Sequence, residues 1–226
     1  MTFPESPSSE EEKNLSLEAL PLMDRHKLQL GRRLGHLATG SLMGLTYLMV
    51  LNHQQVIYLL GAISCIVYLL EQIRINYPEL QDFFAPITRL FFRAEEQLKE
   101  SAAIPYVMGV LLCIITFPKE SAIIGILTLA ICDPLSAIVG ISFGRKKIMG
   151  HKTWEGSLAF FTFSALISYF ILSTQLHLSM GQNILISILT ALCSSFMEIL
   201  PIRIDDNLTI PLFTSLFSLI FLTLFR

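Results

Sequence analysis

The sequence predicts an all-α, polytopic membrane protein with about seven transmembrane helices and a cytoplasmic amino terminus, and three observations support this fold class. The chain of 226 residues is 53% hydrophobic and 15% charged, with a mean hydropathy of +0.61, which is too apolar for a soluble domain of this size. Seven apolar segments approach the roughly 20 residues that a spanning helix needs. The basic residues also sort onto alternate connections between those segments.

The first 30 residues form a polar segment, followed by a single transmembrane catalytic domain predicted over residues 31–226. The acidic run Glu10, Glu11, Glu12 and its neighbouring serines cannot bury a core, so we expect a cytoplasmic tail that is partly disordered. The tail lacks an apolar stretch followed by small residues, and we therefore expect no signal peptide. Irregular apolar positions between Leu17 and Leu30 allow a short helix on the membrane surface.

The predicted helices and the charges between them define an orientation. The helices cover residues 35–51, 55–73, 102–118, 121–143, 157–178, 181–200 and 208–225. Of the 16 basic residues, five precede the first helix, four follow the second, four follow the fourth and one follows the sixth. Only Lys119 and Arg226 lie on the other side. An odd number of spans with the amino terminus inside accounts for this distribution.

The long loop from Arg74 to Ser101 contains FFAPITRLFFRAEEQLKES, in which pairs of phenylalanines alternate with charges. One interpretation is an interfacial amphipathic segment whose phenyl rings reach the lipid headgroups. The other is a lid, or an element through which lipid enters, beside a site.

The fourth predicted helix carries an aspartate, Asp133, near its middle. An ionisable group there costs roughly 2.5–3.5 kcal/mol on insertion scales, so it must face a partner or water. A protonated or arginine-paired acid that serves only helix packing is the competing interpretation. Ser136, Gly140 and Gly144 follow at helical spacing, so this face is small enough for a backbone or ligand to approach closely. Pro134 removes one backbone hydrogen bond and predicts a local break.

The stretch GRKKIMGHKTWEGS after this helix combines glycines with basic side chains, a composition suited to phosphate oxygens. It is not a Walker A loop, because G-x-x-x-x-G-K-[ST] does not match its spacing. Arg145 and Lys146 alone are also consistent with an ordinary positive-inside cluster. Lys152, Thr153 and Glu155 are stronger candidates, since they form a polar set where the next helix re-enters the membrane.

The stretch EILPIRIDDN supplies three carboxylates, Glu198, Asp205 and Asp206, on the same predicted face as Asp133. Glu198 alone could be a solvated helix end, and Asp206 or Asn207 alone could be a helix cap. Hard oxygen ligands of this kind hold Mg²⁺ through bound waters and a substrate's phosphates. Carboxylates, Mg²⁺ and cationic phosphate clamps together are the components of phosphoryl or nucleotidyl transfer.

The runs DPLSAIVGISFGRKK, GHKTWEGS and EILPIRIDDNLTIP, in this order, resemble the CTP-dependent lipid kinases, a family that includes dolichol kinase, phytol kinase and the CTP-using diacylglycerol kinase. The resemblance covers about residues 31–215 and implies transfer of the γ-phosphoryl group of CTP to a membrane-embedded alcohol, with a divalent metal, usually Mg²⁺. It implies that the family's basic pair is Arg32 and Arg33, with arginine replacing the usual lysine at the second position. The family's aspartate and glycine match Asp133 and Gly140. The signature of the related phosphatidate cytidylyltransferases is not visible, which favours a kinase and leaves nucleotidyl transfer as the alternative.

The predicted site therefore has three groups of residues on the cytoplasmic face. The catalytic candidates are Asp133, Glu155 and Lys152, with Asp133 or Glu155 accepting the proton of the alcohol. The nucleotide-binding candidates are Arg32, Arg33, Gly140, Arg145, Lys146, Lys152, Thr153 and Asn207. The metal candidates are Asp133, Glu198, Asp205 and Asp206.

The expected partners are CTP, a lipid alcohol and the bilayer, and neither nucleic acid nor a defined oligomer is indicated. A lipid transporter is the alternative from another class, since intramembrane acids and broken helices also occur there. Transport requires polar residues leading to both faces, and the predicted outer half is nearly free of them. The clustering of acids and bases on one face argues against a scaffold without chemistry.

Overall fold

The computed structural model describes residues 22–77, 103–150, 152–202 and 204–226, with side chains from Arg33 onward except Arg74. These residues form seven helices and one β-hairpin, and a π-helical turn interrupts the fourth helix. The helical segments are α1 (Leu22–Met49), α2 (His53–Asn76), α3 (Ala103–Thr116), α4 (Lys119–Leu127), α5 (Asp133–Phe143), α6 (Trp154–Gln175), α7 (Met180–Ile199) and α8 (Asp206–Phe225). The π turn (Thr128–Cys132) joins α4 to α5. The strands β1 (Lys147–Met149) and β2 (Lys152–Thr153) pair antiparallel.

The predicted all-α polytopic fold is confirmed, and the predicted count of about seven transmembrane helices stays a prediction. Five helices are long and apolar enough to cross a membrane: His53–Ile73, Lys119–Phe143, Trp154–Gln175, Met180–Ile199 and Asp206–Phe225. The first helix begins at Leu22 instead of residue 35, because its polar first turns contain good helix formers that a hydropathy window misses. The third helix has 14 residues, too few to cross the bilayer perpendicular to its plane. The orientation of the amino terminus stays a prediction.

The break predicted at Pro134 takes the form of the π turn immediately before it. The Asp133 N–H donates to the Thr128 carbonyl five residues earlier, the spacing of a π-helix. In a regular α-helix the proline ring would clash with the Ala130 carbonyl. The wider turn relieves this clash and keeps the span continuous through Asp133.

The helices pack around an apolar core. The main cluster includes Val110, Ile114, Ile123, Ile124 and Ile186, all of which are fully buried. At one end of the bundle, the Ser195 hydroxyl of α7 donates to the Ser157 carbonyl of α6 at 3.2 Å. At the other, the Gln182 amide donates to the Phe225 carbonyl at the end of α8, at 2.8 Å. We call the first the charged end, because the hairpin and the start of α8 also lie there.

The half of the bundle away from the charged end is more polar inside than the sequence predicted. Its described interior buries the side chains of Ser121, Ser168, Asn183, Ser187 and Ser218. All five are small and uncharged, which permits close helix packing. The predictions for the tail over residues 1–21 and for the aromatic loop over residues 78–102 lie outside the described residues.

Candidate active site

A cavity of about 870 Å³ opens at the charged end of the bundle. Five elements contribute to its wall: α1, α5, the β2–α6 junction, the end of α7 and the start of α8. Nine predicted site residues line it: Arg33, Asp133, Gly140, Lys152, Thr153, Glu198, Asp205, Asp206 and Asn207. Residues separated by more than 150 positions in the chain therefore meet in one cavity large enough for a small-molecule ligand.

Two glycines bring α5 and α6 together on one side of this cavity. A Cβ at Gly156 would lie 2.8 Å from the Ser136 carbonyl oxygen and 3.3 Å from the Gly140 Cα, and a Cβ at Gly140 would lie 2.9 Å from the Thr153 hydroxyl oxygen. A larger side chain has room at Gly156 only if the two backbones move apart, and at Gly140 only if the Thr153 side chain moves. Thr153 also accepts a hydrogen bond from the Gly156 N–H at 3.2 Å and so caps α6.

Lys152 lies between two carboxylates from other elements. Its Nζ is 2.5 Å from Glu198 Oε1 and 3.3 Å from Asp206 Oδ2. The Glu198 side chain is 2% exposed, and its second oxygen accepts a hydrogen bond from the Ser157 hydroxyl at 3.4 Å. Lys152 therefore joins the β-hairpin to α7 and α8 and provides the charge that the buried Glu198 requires.

The same contacts determine the ionisation of Lys152. Burial alone would lower the pKa of its ammonium group, but the charge and hydrogen bond of Glu198, with the charges of Asp206 and Asp133, raise that pKa above the ordinary value of 10.5. Lys152 is thus a cation at physiological pH. An ammonium group has three donors, so the two carboxylates leave one for a ligand in the cavity.

Asp133 reaches the cavity from the first residue of α5, directly after the π turn. Its charge interacts with those of Lys152, Asp206, Glu198 and Arg33. The Ser136 hydroxyl donates to the main-chain carbonyl of Asp133, not to its carboxylate. The carboxylate therefore faces a cavity in which both signs of charge are present.

The acidic turn before α8 has a structural role as well as a place in the cavity wall. The Asp205 carboxylate accepts a hydrogen bond from the Asn207 N–H at 2.8 Å and caps α8. Capping was the competing interpretation for Asp206 and Asn207, but the capping residue is Asp205, which also lines the cavity. Asp206 directs its carboxylate to Lys152, as described above.

Three predicted site residues do not line the cavity. Arg145 and Lys146 are exposed on the loop between α5 and β1, and Glu155 lies in the first turn of α6, where its charge interacts with the backbone and side chain of that loop. The sequence run that contains them folds as a hairpin followed by a helix, so its residues point in different directions. The side chain of Arg32 lies outside the described residues.

The carboxylates of the cavity fit a metal ion that is also held by a substrate. Asp133, Glu198, Asp205 and Asp206 supply hard oxygen ligands around one cavity. Within the described residues, however, no group of three or more His, Cys, Asp or Glu side chains is close enough to hold an ion without help. Mg²⁺ commonly binds through one or two carboxylates together with waters and substrate phosphates, which is the arrangement these residues allow.

Several lining residues were not predicted as site residues. His36 lies about one helical turn from Arg33 on α1, and its ring meets Tyr106 of α3 edge to face, with centroids 4.8 Å apart and an interplanar angle of 85°. The spacing of His36 from Arg33 could have indicated a shared face. The apolar lining residues Ala137, Ile141 and Ile204 carry no comparable signal in the sequence.

Comparison with known proteins shows that the chain is similar in sequence to proteins named as lipid kinases. The chain is 34% identical over 172 residues to an uncharacterised protein of Rickettsia prowazekii, covering 72% of this chain and 80% of the relative. It is 23% identical over 212 residues to CTP-dependent diacylglycerol kinase 1 of Saccharomyces cerevisiae, covering 84% and 72%. It is 35% identical over 123 residues to a probable chloroplastic phytol kinase of Triticum aestivum, covering 49% and 41%. Neither a protein-family model nor a solved structure matches the chain.

Proposed function

The chain belongs to the family of CTP-dependent lipid kinases, and on that premise we propose that it transfers the γ-phosphoryl group of CTP to a lipid alcohol at the cytoplasmic face of its membrane. One observation carries the proposal: two cations, Arg33 and Lys152, and four carboxylates line one cavity at the end of a membrane-type helix bundle. Phosphoryl transfer depends mostly on positioning and on charge neutralisation, and this cavity offers residues for both.

The proposed nucleotide site consists of the cavity's cations and the polar residues at the start of α8. Arg33 and the free donor of Lys152 bind phosphate oxygens, and Asn207 and Thr153 add polar groups beside them. Arg145 and Lys146, exposed on the nearby loop, attract the anionic nucleotide without lining the cavity. Arg32 is proposed as a further phosphate ligand from the family resemblance.

The carboxylates are the proposed metal site. Asp133, Asp205 and Asp206 hold Mg²⁺ directly or through waters, and Glu198 maintains the position of Lys152. When bound, Mg²⁺ supplies neutralisation of the charge on the phosphate oxygens. Gly140 allows α5 to approach α6 closely enough for Asp133 and Lys152 to face the same cavity.

In the proposed reaction the alcohol oxygen forms a bond to the γ-phosphorus as the bond from phosphorus to the β–γ bridging oxygen breaks. CDP leaves, and the proton of the alcohol passes to a carboxylate. Asp133 and Glu155 are the two candidates for this acceptor. Asp133 is favoured because it lines the cavity and Glu155 does not.

The experiment that tests this function uses purified protein in mixed micelles with CTP labelled in either the γ- or the α-phosphate. The acceptors are diacylglycerol, phytol, a polyprenol and phosphatidate. We expect the γ-label to appear in the phosphorylated alcohol. Appearance of the α-label in lipid, with release of pyrophosphate, would instead identify a cytidylyltransferase. Absence of both labels from every lipid would refute nucleotide-dependent transfer and favour transport.

A further inference from the structure

The cavity-lining face of α5 divides into two edges. Asp133, Ser136, Ala137, Gly140 and Ile141 all line the cavity. At about 100° per residue, Ser136 and Gly140 fall on one edge of this face and Ala137 and Ile141 on the other, with Asp133 between them. The Ser136 and Gly140 edge contacts α6 through Gly156. The Ala137 and Ile141 edge is therefore turned away from α6.

The helix on that other side is α1, and two close contacts fix its level against the fourth span. A Cβ at Gly40 would lie 2.6 Å from the Ala130 Cβ, and a Cβ at Gly44 would lie 2.5 Å from Leu127 Cδ2. The numbering rises along α1 as it falls along α4, so the two helices run antiparallel. One further turn toward the charged end brings His36 and Asp133 to the same level.

His36 is held in a defined place on this wall. Its ring packs edge to face on Tyr106, which is 8% exposed. Edge-to-face contacts of this type fix the orientation of a ring. His36 therefore lines the cavity across from Asp133, with the α3 side closed behind it by Tyr106.

The junction between α1 and α5 is apolar where it faces outward. Ile141, on the edge of α5 next to α1, is 46% exposed. In a membrane-spanning protein this side chain faces hydrocarbon, whereas the cavity behind it contains charged groups. A molecule with a hydrocarbon chain and one polar end matches this change of character.

We propose that the lipid alcohol reaches the cavity between α1 and α5. Its hydroxyl group lies between His36 and Asp133, where His36 hydrogen-bonds to it, and its hydrocarbon chain passes Ala137 and Ile141 into the bilayer. His36 is thus a substrate-binding residue on the acceptor side, opposite the α6–α8 wall that holds Lys152. This inference rests on the proposed lipid kinase function and adds the acceptor route to it.

The test compares two substitutions on the same helix. Ala137→Phe narrows the α1–α5 junction. Leu135→Phe places the same phenyl ring about 200° away around α5, at a residue that does not line the cavity, and it matches Ile141→Phe in added volume. We expect Ala137→Phe to raise KM for the alcohol about tenfold with KM for CTP unchanged, and Leu135→Phe to leave both constants at their wild-type values. Ile141→Phe, at a half-exposed position, serves if Ala137→Phe does not fold.

His36→Ala tests the proposed hydrogen bond between His36 and the alcohol. We expect kcat/KM for the alcohol to fall about tenfold or more when this hydrogen bond is lost, while KM for CTP stays at its wild-type value; loss of the edge-to-face contact with Tyr106 should lower the melting temperature only slightly. Equal behaviour of the phenylalanine variants at 137 and 135, or effects of Ala137→Phe and His36→Ala confined to KM for CTP, would overturn the acceptor route. Failure of the wild-type protein to phosphorylate any alcohol would refute the proposed function itself, so the two failures are distinguishable.

Discussion

Replacing Gly156 with alanine tests how strictly the site depends on the contact between α5 and α6. The added Cβ would lie 2.8 Å from the Ser136 carbonyl oxygen and 3.3 Å from the Gly140 Cα, whereas ordinary contacts begin at 3.4 Å. Both neighbouring atoms belong to the backbone, so no side-chain rotation relieves the overlap. The two helices must separate by about half an ångström.

Two opposing effects determine the stability of Gly156→Ala. Alanine is favoured over glycine in a helix by up to about 1 kcal/mol, and overpacking costs about 1–3 kcal/mol. We expect a net loss of about 1–2 kcal/mol in the free energy of unfolding. Activity should fall more steeply, by roughly a hundredfold in kcat, because α5 carries Asp133 and the β2–α6 junction carries Lys152.

The matched control is Gly61→Ala on α2, since a Cβ at Gly61 would have no atom within 4 Å. Thermal unfolding in detergent and phosphoryl transfer in mixed micelles are measured for both variants. Gly61→Ala should keep wild-type activity and be at least as stable as the wild type. Wild-type stability and activity in Gly156→Ala would refute the argument that the α5–α6 contact positions the site.

Asp133→Asn should lower transfer from CTP by roughly a hundredfold or more, with gel filtration and circular dichroism showing that the protein remains folded. Arg33→Ala should raise KM for CTP about tenfold and leave KM for the alcohol nearly unchanged in steady-state kinetics. Lys152→Met leaves Glu198 buried without its cation, so we expect a loss of about 2 kcal/mol in chemical denaturation, most of which the added substitution Glu198→Gln should restore. The folded-state pKa of Lys152 is raised above 10.5, so its stabilising contribution is complete below that value and disappears as the pH rises through the higher folded-state pKa. The melting temperature of the wild type should therefore exceed that of Lys152→Met from neutral pH to about pH 10. At higher pH this difference should disappear.

Three results would contradict these expectations. Full transfer by Asp133→Asn would remove that residue from the mechanism. Equal effects of Arg33→Ala on both Michaelis constants would indicate a general distortion of the cavity. A melting difference between wild type and Lys152→Met that grows above about pH 10 would mean that the pKa of Lys152 is not raised.

Hydropathy predicted the apolar helices of the described residues, because the backbone of each membrane span must form its hydrogen bonds within the span. It failed where a helix is stabilised by other means. Residues 22–34 extend α1 although they are polar, and α3 is shorter than its apolar stretch because it ends at Thr116, before Pro118. Local chemistry predicted a disturbance at Pro134, but only the structure distinguishes a π turn from a break.

The site was predictable where charge conflicts with its surroundings. Asp133 and Glu198 stand out because a membrane-type chain retains few acids inside its helices, and both line the cavity. Arg145, Lys146 and Glu155 were grouped with Lys152 because they are close in sequence. Whether each of them lines the cavity depends on the direction of its side chain, and the hairpin between α5 and α6 turns neighbouring side chains to different sides.

The π turn before Asp133 also sets a rotational phase within the fourth span. A π turn contains one residue more than the α-helix it replaces, so everything after it is rotated by about 100° relative to an uninterrupted helix. Without that offset, the stripe of Asp133, Ala137 and Ile141 would point elsewhere while α4 kept its own contacts. The two halves of this helix therefore have independent rotational orientations. The half before Thr128 faces the apolar core, and the half after Cys132 faces the cavity.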